Sequence, residues 1–197
     1  MKMETPIRTE KSFLKVYKKE TVKNFGLELE ECIKEVKDKL LKNPPIIVYG
    51  KQANQHRSIG FFSDTSIGYH YSRQLAKSQP LTPKLKNLLE VINEKFSSEF
   101  NGILVNYYEN GEDYIGKHSD DEKSLDKVGV VSISYGAKRK FRIRNKFNGK
   151  KVVDIDMNSS EIIHMGGDFQ KEFTHEIPKE KKIKEERYSF TLRNHLI

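Results

Sequence analysis

This 197-residue chain has a single cysteine and contains no long apolar runs and no repeated segments. Its one cysteine, Cys32, excludes a disulfide bond within the chain, and no apolar segment of the kind that directs secretion stands at the N-terminus. No apolar run approaches the roughly 18 residues of a membrane-spanning helix. We therefore expect an intracellular protein with no membrane partner, nuclear in a eukaryote and cytoplasmic otherwise.

Charge, by contrast, is plentiful, with 36 Lys and Arg residues against 28 Asp and Glu and a formal net charge of +8. A basic excess favours a polyanionic partner such as nucleic acid, although a lysine-rich proteome would produce the same balance. The length is that of one domain able to bury its own core. We expect a monomer.

The spacing of apolar residues predicts two amphipathic helices followed by strands. The helices cover 27–41 and 80–96, and Thr82 with Pro83 is suited to begin the second. The polar residues 1–10 are predicted to be frayed. Beyond them, the predicted strands are 103–108, 128–135, 139–144, 151–157, 161–165 and 187–193, with Asn148-Gly149 as a hairpin turn. Short strands separated by turns are typical of a sandwich or jelly roll, so the fold class is α+β and mostly β.

One stretch, from Asn106 to Glu122, carries the strongest chemical signal. In extended backbone the side chains of His118 and Asp120 point to the same side, so an imidazole and a carboxylate can converge on one ion. A second imidazole, His175, follows further along the chain. Two His and one carboxylate form the facial triad of non-heme Fe(II) oxygenases, although Mn or Ni would accept the same ligands.

The predicted strand 187–193 carries an arginine at each end. Arg187 and Arg193 are an even number of residues apart, so both point to one face of the strand. Guanidinium groups bind carboxylates through two parallel hydrogen bonds, which makes this strand a candidate for holding a dicarboxylate. Each of these motifs is common by itself, and arginines on a strand usually face solvent. It is the ordered set that is specific.

In this order the motifs resemble those of the AlkB family of Fe(II)- and 2-oxoglutarate-dependent dioxygenases, especially its animal members that repair alkylated double-stranded DNA. The resemblance covers residues 25–197. The matching pieces are Asn106-x-Tyr108, His118-Ser-Asp120-Asp121-Glu122, Ser132-Ile-Ser-Tyr-Gly136, His175 and Arg187-x5-Arg193.

The resemblance implies a double-stranded β-helix, or jelly roll, with N-terminal helices packed on one sheet. It divides the chain into a partly ordered extension (1–24) and one dioxygenase domain (25–197), which contains a nucleotide-recognition segment (45–79) and the jelly-roll core (103–197). It also implies Fe(II), 2-oxoglutarate and O2. The metal-binding and catalytic residues would be His118, Asp120 and His175, and the residues that bind 2-oxoglutarate would be Asn106, Tyr108, Arg187, Thr191 and Arg193.

Two segments would contact DNA by the same resemblance. Val48, Tyr49, Gly50 and Lys51 match a wedge that fills the gap left by an extruded base. Tyr49 replaces a Phe of the similar enzymes, and its hydroxyl prefers water, so an ordinary strand and turn is the alternative. Arg57 matches an arginine that faces DNA.

A substrate pocket is implied at three further positions and in one acidic pair. Tyr69, His70 and Tyr71 match a base-binding strand in which Tyr69 contacts the base edge and Tyr71 stacks on its face. Alternating aromatics also pack ordinary sheets, which is the other interpretation. Asp121 and Glu122 would favour a cationic base, unless they are only loop charges.

The implied function is DNA alkylation repair by oxidative demethylation of N-methylated bases, 1-methyladenine and 3-methylcytosine, with release of formaldehyde, succinate and CO2. The hydrophobic wedge segment favours duplex DNA. Single-stranded DNA or RNA is an alternative within the family, and a nucleic-acid-binding protein with an inactive site is an alternative of another class. A small-molecule hydroxylase would leave the basic faces unexplained.

A cluster of basic residues adds a candidate DNA contact. Lys138, Lys140, Arg142 and Arg144 share one face of a predicted strand. This pattern predicts a phosphate track, a row of side chains that bind the phosphates of a nucleic acid, and such binding weakens as salt rises. The basic loop 179–184 could extend the track. The alternative is a solvated face.

Overall fold

The computed structural model describes residues 3–18, 25–48, 50–71, 74–120 and 128–195, without the side chains of Val48, His70, Tyr71 and Gln74. The strands are β1 (Met3–Arg8), β2 (Ser12–Tyr17), β3 (Pro45–Val48), β4 (Lys51–Asn54), β5 (Ser58–Phe62), β6 (Gly68–Tyr71), β7 (Gln74–Gln79), β8 (Gly102–Tyr108), β9 (Ile115–His118), β10 (Val130–Gly136), β11 (Arg139–Asn145), β12 (Lys151–Met157), β13 (Ile162–Gly167), β14 (Phe173–Ile177) and β15 (Arg187–Arg193). The helices are α1 (Phe25–Val36), which continues into a 3-10 turn (Lys37–Lys39), α2 (Pro83–Phe96) and the single turn α3 (Phe169–Glu172).

Two sheets form the body of the protein. The larger has the strand order β1-β2-β13-β10-β15-β8-β5-β7-β6, and the smaller has the order β12-β11-β14-β9. Apolar side chains from both sheets share one core, in which Val16, Val130 and Met165 of the larger sheet accompany Phe141 and Ile155 of the smaller. The predicted jelly roll is therefore confirmed, and β3 and β4 stand apart from it as a separate hairpin.

Helices α1 and α2 cover the opposite face of the larger sheet. Leu29 of α1 and Leu88 of α2 lie in a second core with Phe190 of β15, where alternation along the strand sends every other side chain to the helices. Thr82 caps α2 as predicted, because its side chain accepts a hydrogen bond from the backbone N–H of Leu85. The predicted placement of the N-terminal helices on one sheet is confirmed.

Among the strands outside the predicted set, three bear on the N-terminus or on the site. The polar start of the chain, predicted to be frayed, forms β1, which pairs with β2 at the edge of the larger sheet. The described part of the predicted extension (1–24) therefore belongs to that sheet. Strands β9 and β14, absent from the predicted set, pair with each other in the smaller sheet. The hairpin turn at Asn148-Gly149 is confirmed, and Gly149 has a φ of +69°, which favours glycine. In the part of the chain that the structure covers, every helix is too short or too polar to cross a bilayer.

Candidate metal and co-substrate site

Three metal-ligating side chains meet at the paired strands β9 and β14. His118 of β9 lies directly opposite His175 of β14, and Asp120 follows two residues after His118. The Nε2 atoms of His118 and His175 lie 4.0 and 3.4 Å from the carboxylate oxygens of Asp120. Candidate ligand atoms of all three residues lie within 4.8 Å of one another. Neighbouring strands thus bring together residues that are far apart in the sequence.

The imidazole of His118 is prepared to act as a neutral ligand. Nδ1 of His118 lies 2.9 Å from the carbonyl oxygen of Gly116, which can only accept, so Nδ1 carries the proton and Nε2 presents its lone pair. Burial and the neighbouring His175 lower the pKa of His118 to about 3. His175 is 5% exposed, and its ring stacks on Phe141.

Asp120 is held by two residues of different kinds. Its backbone N–H donates to Oε1 of Gln170 on α3 at 2.9 Å, and Oδ1 accepts from Nη2 of Arg193 at 3.0 Å. Burial alone would raise the pKa of the carboxyl, but the charge of Arg193 and the contact with His175 hold it well below its usual range. The carboxylate is therefore ionised wherever the protein is folded near neutral pH.

Arg187 offers a buried positive charge beside this triad. Its guanidinium is 2% exposed, Nη2 donates to Oγ of Ser134 at 2.8 Å, and the ring of Tyr108 lies 5.3 Å away. Nε and Nη1 are buried and have no hydrogen-bond partner in the described part of the chain. Burial lowers the pKa of Arg187 from its usual value. A buried charge without an anion raises the free energy of the folded protein, and a bound carboxylate would lower it again.

The remaining residues predicted to bind 2-oxoglutarate line the same cavity. Oδ1 of Asn106 accepts from Nε of Arg57 at 2.8 Å, and its Nδ2 donates to Oγ of Ser189 at 3.3 Å. The hydroxyl of Thr191 lies 3.3 Å from that of Ser132. The cavity has a volume of about 40 Å³ accessible to the centre of a water molecule, which is room for a few waters. Its wall includes Tyr108, Arg187, Arg193 and all three members of the triad.

These donors fit the predicted cofactor and co-substrate. Two imidazoles and a carboxylate suit Fe(II), as well as Mn(II) or Ni(II), and leave coordination positions open. The unpartnered atoms of Arg187 fit a carboxylate of a dicarboxylic acid. His118, Asp120 and His175 would hold the ion, and Arg187 would hold the co-substrate.

A profile of the 2OG-Fe(II) oxygenase superfamily matches residues 22–193, which include the triad and both arginines of β15. The chain belongs to the 2OG-Fe(II) oxygenase superfamily. Several relatives of this oxygenase with curated names are AlkB homologues. DNA oxidative demethylase ALKBH2 of Mus musculus is 29% identical over 174 residues, which make up 84% of this chain and 72% of that protein. The corresponding protein of Bos taurus is 29% identical over 155 residues, or 74% of this chain and 55% of that protein.

Another relative of the oxygenase is the alpha-ketoglutarate-dependent dioxygenase alkB homolog 3 of Homo sapiens, which is 33% identical over 137 residues. These make up 64% of this chain and 48% of that protein. The chain spans about half the length of the bovine and human relatives. A solved structure titled "The structure of OsALKBH1" has a TM-score of 0.59 and 16% identity, and covers 92% of this chain and 96% of that one. That structure supports the fold alone, and the predicted resemblance to the AlkB family is confirmed by the sequence relatives.

The substrate residues predicted for this oxygenase fall into three groups. Tyr69 is 3% exposed and lines the cavity, with the guanidinium of Arg193 4.6 Å from its ring. Gly50, with a φ of +75°, and exposed Lys51 lie where the β3–β4 hairpin turns. The others cannot be placed: Tyr49, Asp121 and Glu122 lie outside the described residues, and only the backbones of Val48, His70 and Tyr71 lie within them.

Arg57 requires a correction of its expected location. The resemblance predicts an arginine that faces DNA, but the side chain is 3% exposed and bonded to Asn106 inside the cavity wall. The reason is the pairing of β5 with β8, which sets Ile59 opposite Asn106 and draws the start of β5 against the site. Any contact of Arg57 with a substrate would therefore occur within the cavity.

The predicted phosphate track on β11 is occupied by the carboxylates of the oxygenase itself. Arg142 makes two hydrogen bonds to Asp154, at 2.7 and 2.9 Å, and Nε of Arg144 bonds to Glu176 at 2.9 Å. Lys140 contacts Asp156 and Glu180, and Lys138 contacts Asp156. These pairings favour the alternative interpretation, a solvated face of ion pairs.

Sequence reasoning missed three groups around the site. Gln170 lies on a helical turn too short to give a periodic pattern. Ser134 and Ser189 face each other in the pairing of β10 with β15, and alternation along these two strands would have placed both beside Arg187.

Proposed function

We propose that this protein is an Fe(II)- and 2-oxoglutarate-dependent dioxygenase that demethylates N-methylated bases in DNA, with 1-methyladenine and 3-methylcytosine as substrates and duplex DNA preferred. In the balanced reaction one atom of O2 enters succinate and the other hydroxylates the methyl carbon. The hydroxymethyl group then leaves as formaldehyde, and 2-oxoglutarate loses CO2.

The observation that carries this proposal is the unpartnered guanidinium edge of Arg187 beside the triad. A metal site alone would support many activities, and an arginine alone would support none. Together in one cavity they require an ion and an anion at the same place, which is the requirement of a 2-oxoglutarate oxygenase.

Each residue then has a distinct task. His118, Asp120 and His175 would hold Fe(II), which supplies the oxidising chemistry when bound. Arg187 would bind one carboxylate of 2-oxoglutarate. Arg193 would bind the carboxylate next to the keto group, and it already neutralises Asp120, so it would link the co-substrate to the metal ligand. Asn106, Tyr108 and Thr191 would add hydrogen bonds at the cavity wall.

DNA as substrate is supported by two features. The relatives include proteins named DNA oxidative demethylase, and the β3–β4 hairpin is a separate two-stranded sheet in which all four residues of β4 are exposed. An exposed hairpin can carry a wedge into a base stack, as expected for Val48, Tyr49, Gly50 and Lys51. A target methyl group on the Watson–Crick edge must leave the duplex to reach a buried site. Tyr69 at the cavity wall would contact the extruded base, and the His70–Tyr71 part of β6 would continue that surface.

The test is to supply Fe(II), ascorbate and 2-oxoglutarate with duplex and single-stranded oligonucleotides containing 1-methyladenine, and to measure succinate and formaldehyde together. We expect both products in equal amounts, faster from the duplex, and a lost duplex preference in Tyr49→Ala. Succinate and formaldehyde absent with every methylated oligonucleotide would indicate a binding protein. Faster repair of single strands, with a ratio unaffected by Tyr49→Ala, would refute the wedge.

A further inference from the structure

A groove rich in side-chain amides lies next to the metal cavity. It is lined by Asn43, Gln52, Ala53, Asn54, Gln55 and His56. Its floor is fixed, because Nδ2 of Asn43 donates to the carbonyl of Gln55 at 2.9 Å and the N–H of Gln55 donates to the carbonyl of Pro44 at 2.9 Å. Gln55 is 4% exposed, and its Oε1 has no hydrogen-bond partner within the described ranges.

One end of the groove is an aromatic stack. The exposed ring of His56 lies on the ring of Tyr114, with centroids 4.6 Å apart and planes inclined by 24°. The stack is held by a hydrogen bond of 3.0 Å from the Tyr114 N–H to the His56 carbonyl. Nζ of Lys179 lies 4.8 Å from the centre of the Tyr114 ring. A flat ring, neighbouring amides and a cation are the groups that bind a nucleotide by stacking, by base-edge hydrogen bonds and by phosphate contact.

The stack of His56 on Tyr114 lies beside the metal cavity, and this position indicates which part of a ligand it could bind. Arg57 and Ile115 directly follow His56 and Tyr114 in the sequence, and both line the metal cavity. The groove therefore begins one residue away from the wall of the site that would receive the target base. When a target base occupies the cavity, the part of the nucleic acid strand nearest to this wall is the nucleotide next to the target.

We propose that this groove, the His56 groove, is a subsite for the nucleobase adjacent to the target nucleotide, stacked on His56 and bonded at its edge by Gln52 and Asn54. The proposal rests on the proposed function for the identity of the strand. It predicts that an oligonucleotide binds more tightly than a single methylated nucleotide, and that the difference arises in this groove.

The experiment uses single-stranded pentanucleotides with 1-methyladenine at the centre and fluorescent 2-aminopurine on its 5′ or 3′ side, bound without O2 so that no turnover occurs. When the target base is extruded, its neighbour loses a stacking partner and should brighten, unless a protein ring replaces that partner. We expect one flank to stay quenched in the wild type and to brighten at least about twofold in His56→Ala. His56→Phe, the matched control, keeps a ring and should keep the quenching. Tyr49→Ala reports separately on quenching by the wedge.

The same variants should separate in affinity. Because stacking on an aromatic side chain contributes about 1–3 kcal/mol per base, His56→Ala should weaken pentanucleotide binding about fivefold or more and leave the binding of 1-methyladenosine monophosphate unchanged. Equal quenching and equal affinity in the wild type and His56→Ala would overturn the subsite, even if demethylation is normal. Normal quenching without formaldehyde from any methylated substrate would overturn the proposed function and leave the subsite standing.

Discussion

The cations of this protein have opposite surroundings on the two sides of the smaller sheet. Inside, Arg57, Arg187 and Arg193 line one cavity, where the described lining residues supply a single carboxylate, Asp120. Outside, Lys140, Arg142 and Arg144 of β11 meet four carboxylates, Asp154, Asp156, Glu176 and Glu180. The first set has more cations than carboxylates and is buried, whereas the second meets more carboxylates than it has cations and is partly exposed.

Burial and the number of neighbouring carboxylates distinguish cations that bind a ligand from cations of the surface. Residue type alone does not make this distinction. Exposed ion pairs contribute little to stability, and their cations are already satisfied by the protein. Among the described lining residues, the guanidinium of Arg187 keeps two buried nitrogen atoms for which these residues supply no acceptor, so it favours binding of an anion. By sequence alone, the basic strand β11 was also a candidate for anion binding, with a solvated face as the alternative.

The largest effect is expected from removing Asp120, the one carboxylate among the described residues that line the cavity. Asp120→Ala deletes a metal ligand and leaves Arg193 without its anion, so we expect turnover to fall by more than about a hundredfold, beyond the usual effect of changing a neighbour of a ligand. Succinate release measures it. An Asp154→Ala variant removes a carboxylate from the outer face and should retain turnover. Substantial activity in Asp120→Ala would show that the triad is not the metal site.

The next largest effect concerns the arginines themselves. Arg187→Ala should raise the KM for 2-oxoglutarate about 30-fold or more, since losing one partner of a buried charged pair costs at least about 2 kcal/mol. Arg142→Ala is the control from the outer face and should leave this KM unchanged. Steady-state kinetics with varied 2-oxoglutarate makes the measurement, and near-normal saturation in Arg187→Ala would refute the assigned role.

A smaller effect is expected from the support of Asp120. Gln170→Ala removes the acceptor of the Asp120 N–H and should weaken Mn(II) binding about tenfold, the lower range for a residue that orients a ligand. Calorimetric titration of metal-free protein with Mn(II) tests this, and Gln170→Glu, which keeps an acceptor, should restore much of the affinity. Unchanged affinity in Gln170→Ala would mean that the bond does not orient Asp120.

The inner excess of positive charge should also appear in the pH dependence of stability. Burial and the charge of Arg193 lower the pKa of His195 from 6.5 to about 4. Between about pH 4 and pH 6.5, His195 is therefore protonated in the unfolded chain but not in the folded protein. The contribution of neutral His195 to the free energy of unfolding is complete above about pH 6.5 and is lost as the pH falls toward 4. Urea midpoints at pH 7 and pH 5 should differ less in His195→Gln than in the wild type. An equal difference in both would contradict the low pKa.

The smallest effect is expected on the outer face. Arg142→Ala should leave the salt dependence of DNA binding unchanged, because its guanidinium is engaged by Asp154. If β11 were a phosphate track, the slope of log K against log salt would become shallower by about 0.9 for the lost contact. Fluorescence anisotropy across a range of salt concentrations distinguishes the two outcomes.

Much of the fold could be predicted because long periodic segments determine it. Helix α2 and strand β15 are long enough for their apolar spacing to be read, and Thr82 marks a helix start by its own chemistry. Strands β9 and β14, which carry both metal histidines, were missed because four or five residues containing Gly, Lys and Glu give no clear alternation. They are strands because they pair with each other and β14 also pairs with β11, a tertiary cause that local sequence does not contain.

The site shows the same division. The triad and Arg187 could be predicted because their residue types and order are specific to one chemistry. The burial of Arg57 and the bond between Gln170 and Asp120 depend on which strands become neighbours, so spacing could not reveal them. The pairing of the outer cations depends likewise on β12 and β14 lying beside β11.

Whether the metal triad and Arg187 together bind 2-oxoglutarate can be measured by calorimetric titration. The co-substrate is titrated into the protein with and without Mn(II), in the wild type and in Arg187→Ala. One co-substrate per chain, bound tightly only when both the metal and Arg187 are present, is the result expected from a cavity that combines the triad with an unsatisfied guanidinium. Binding of equal strength without Mn(II), or in Arg187→Ala, would contradict it.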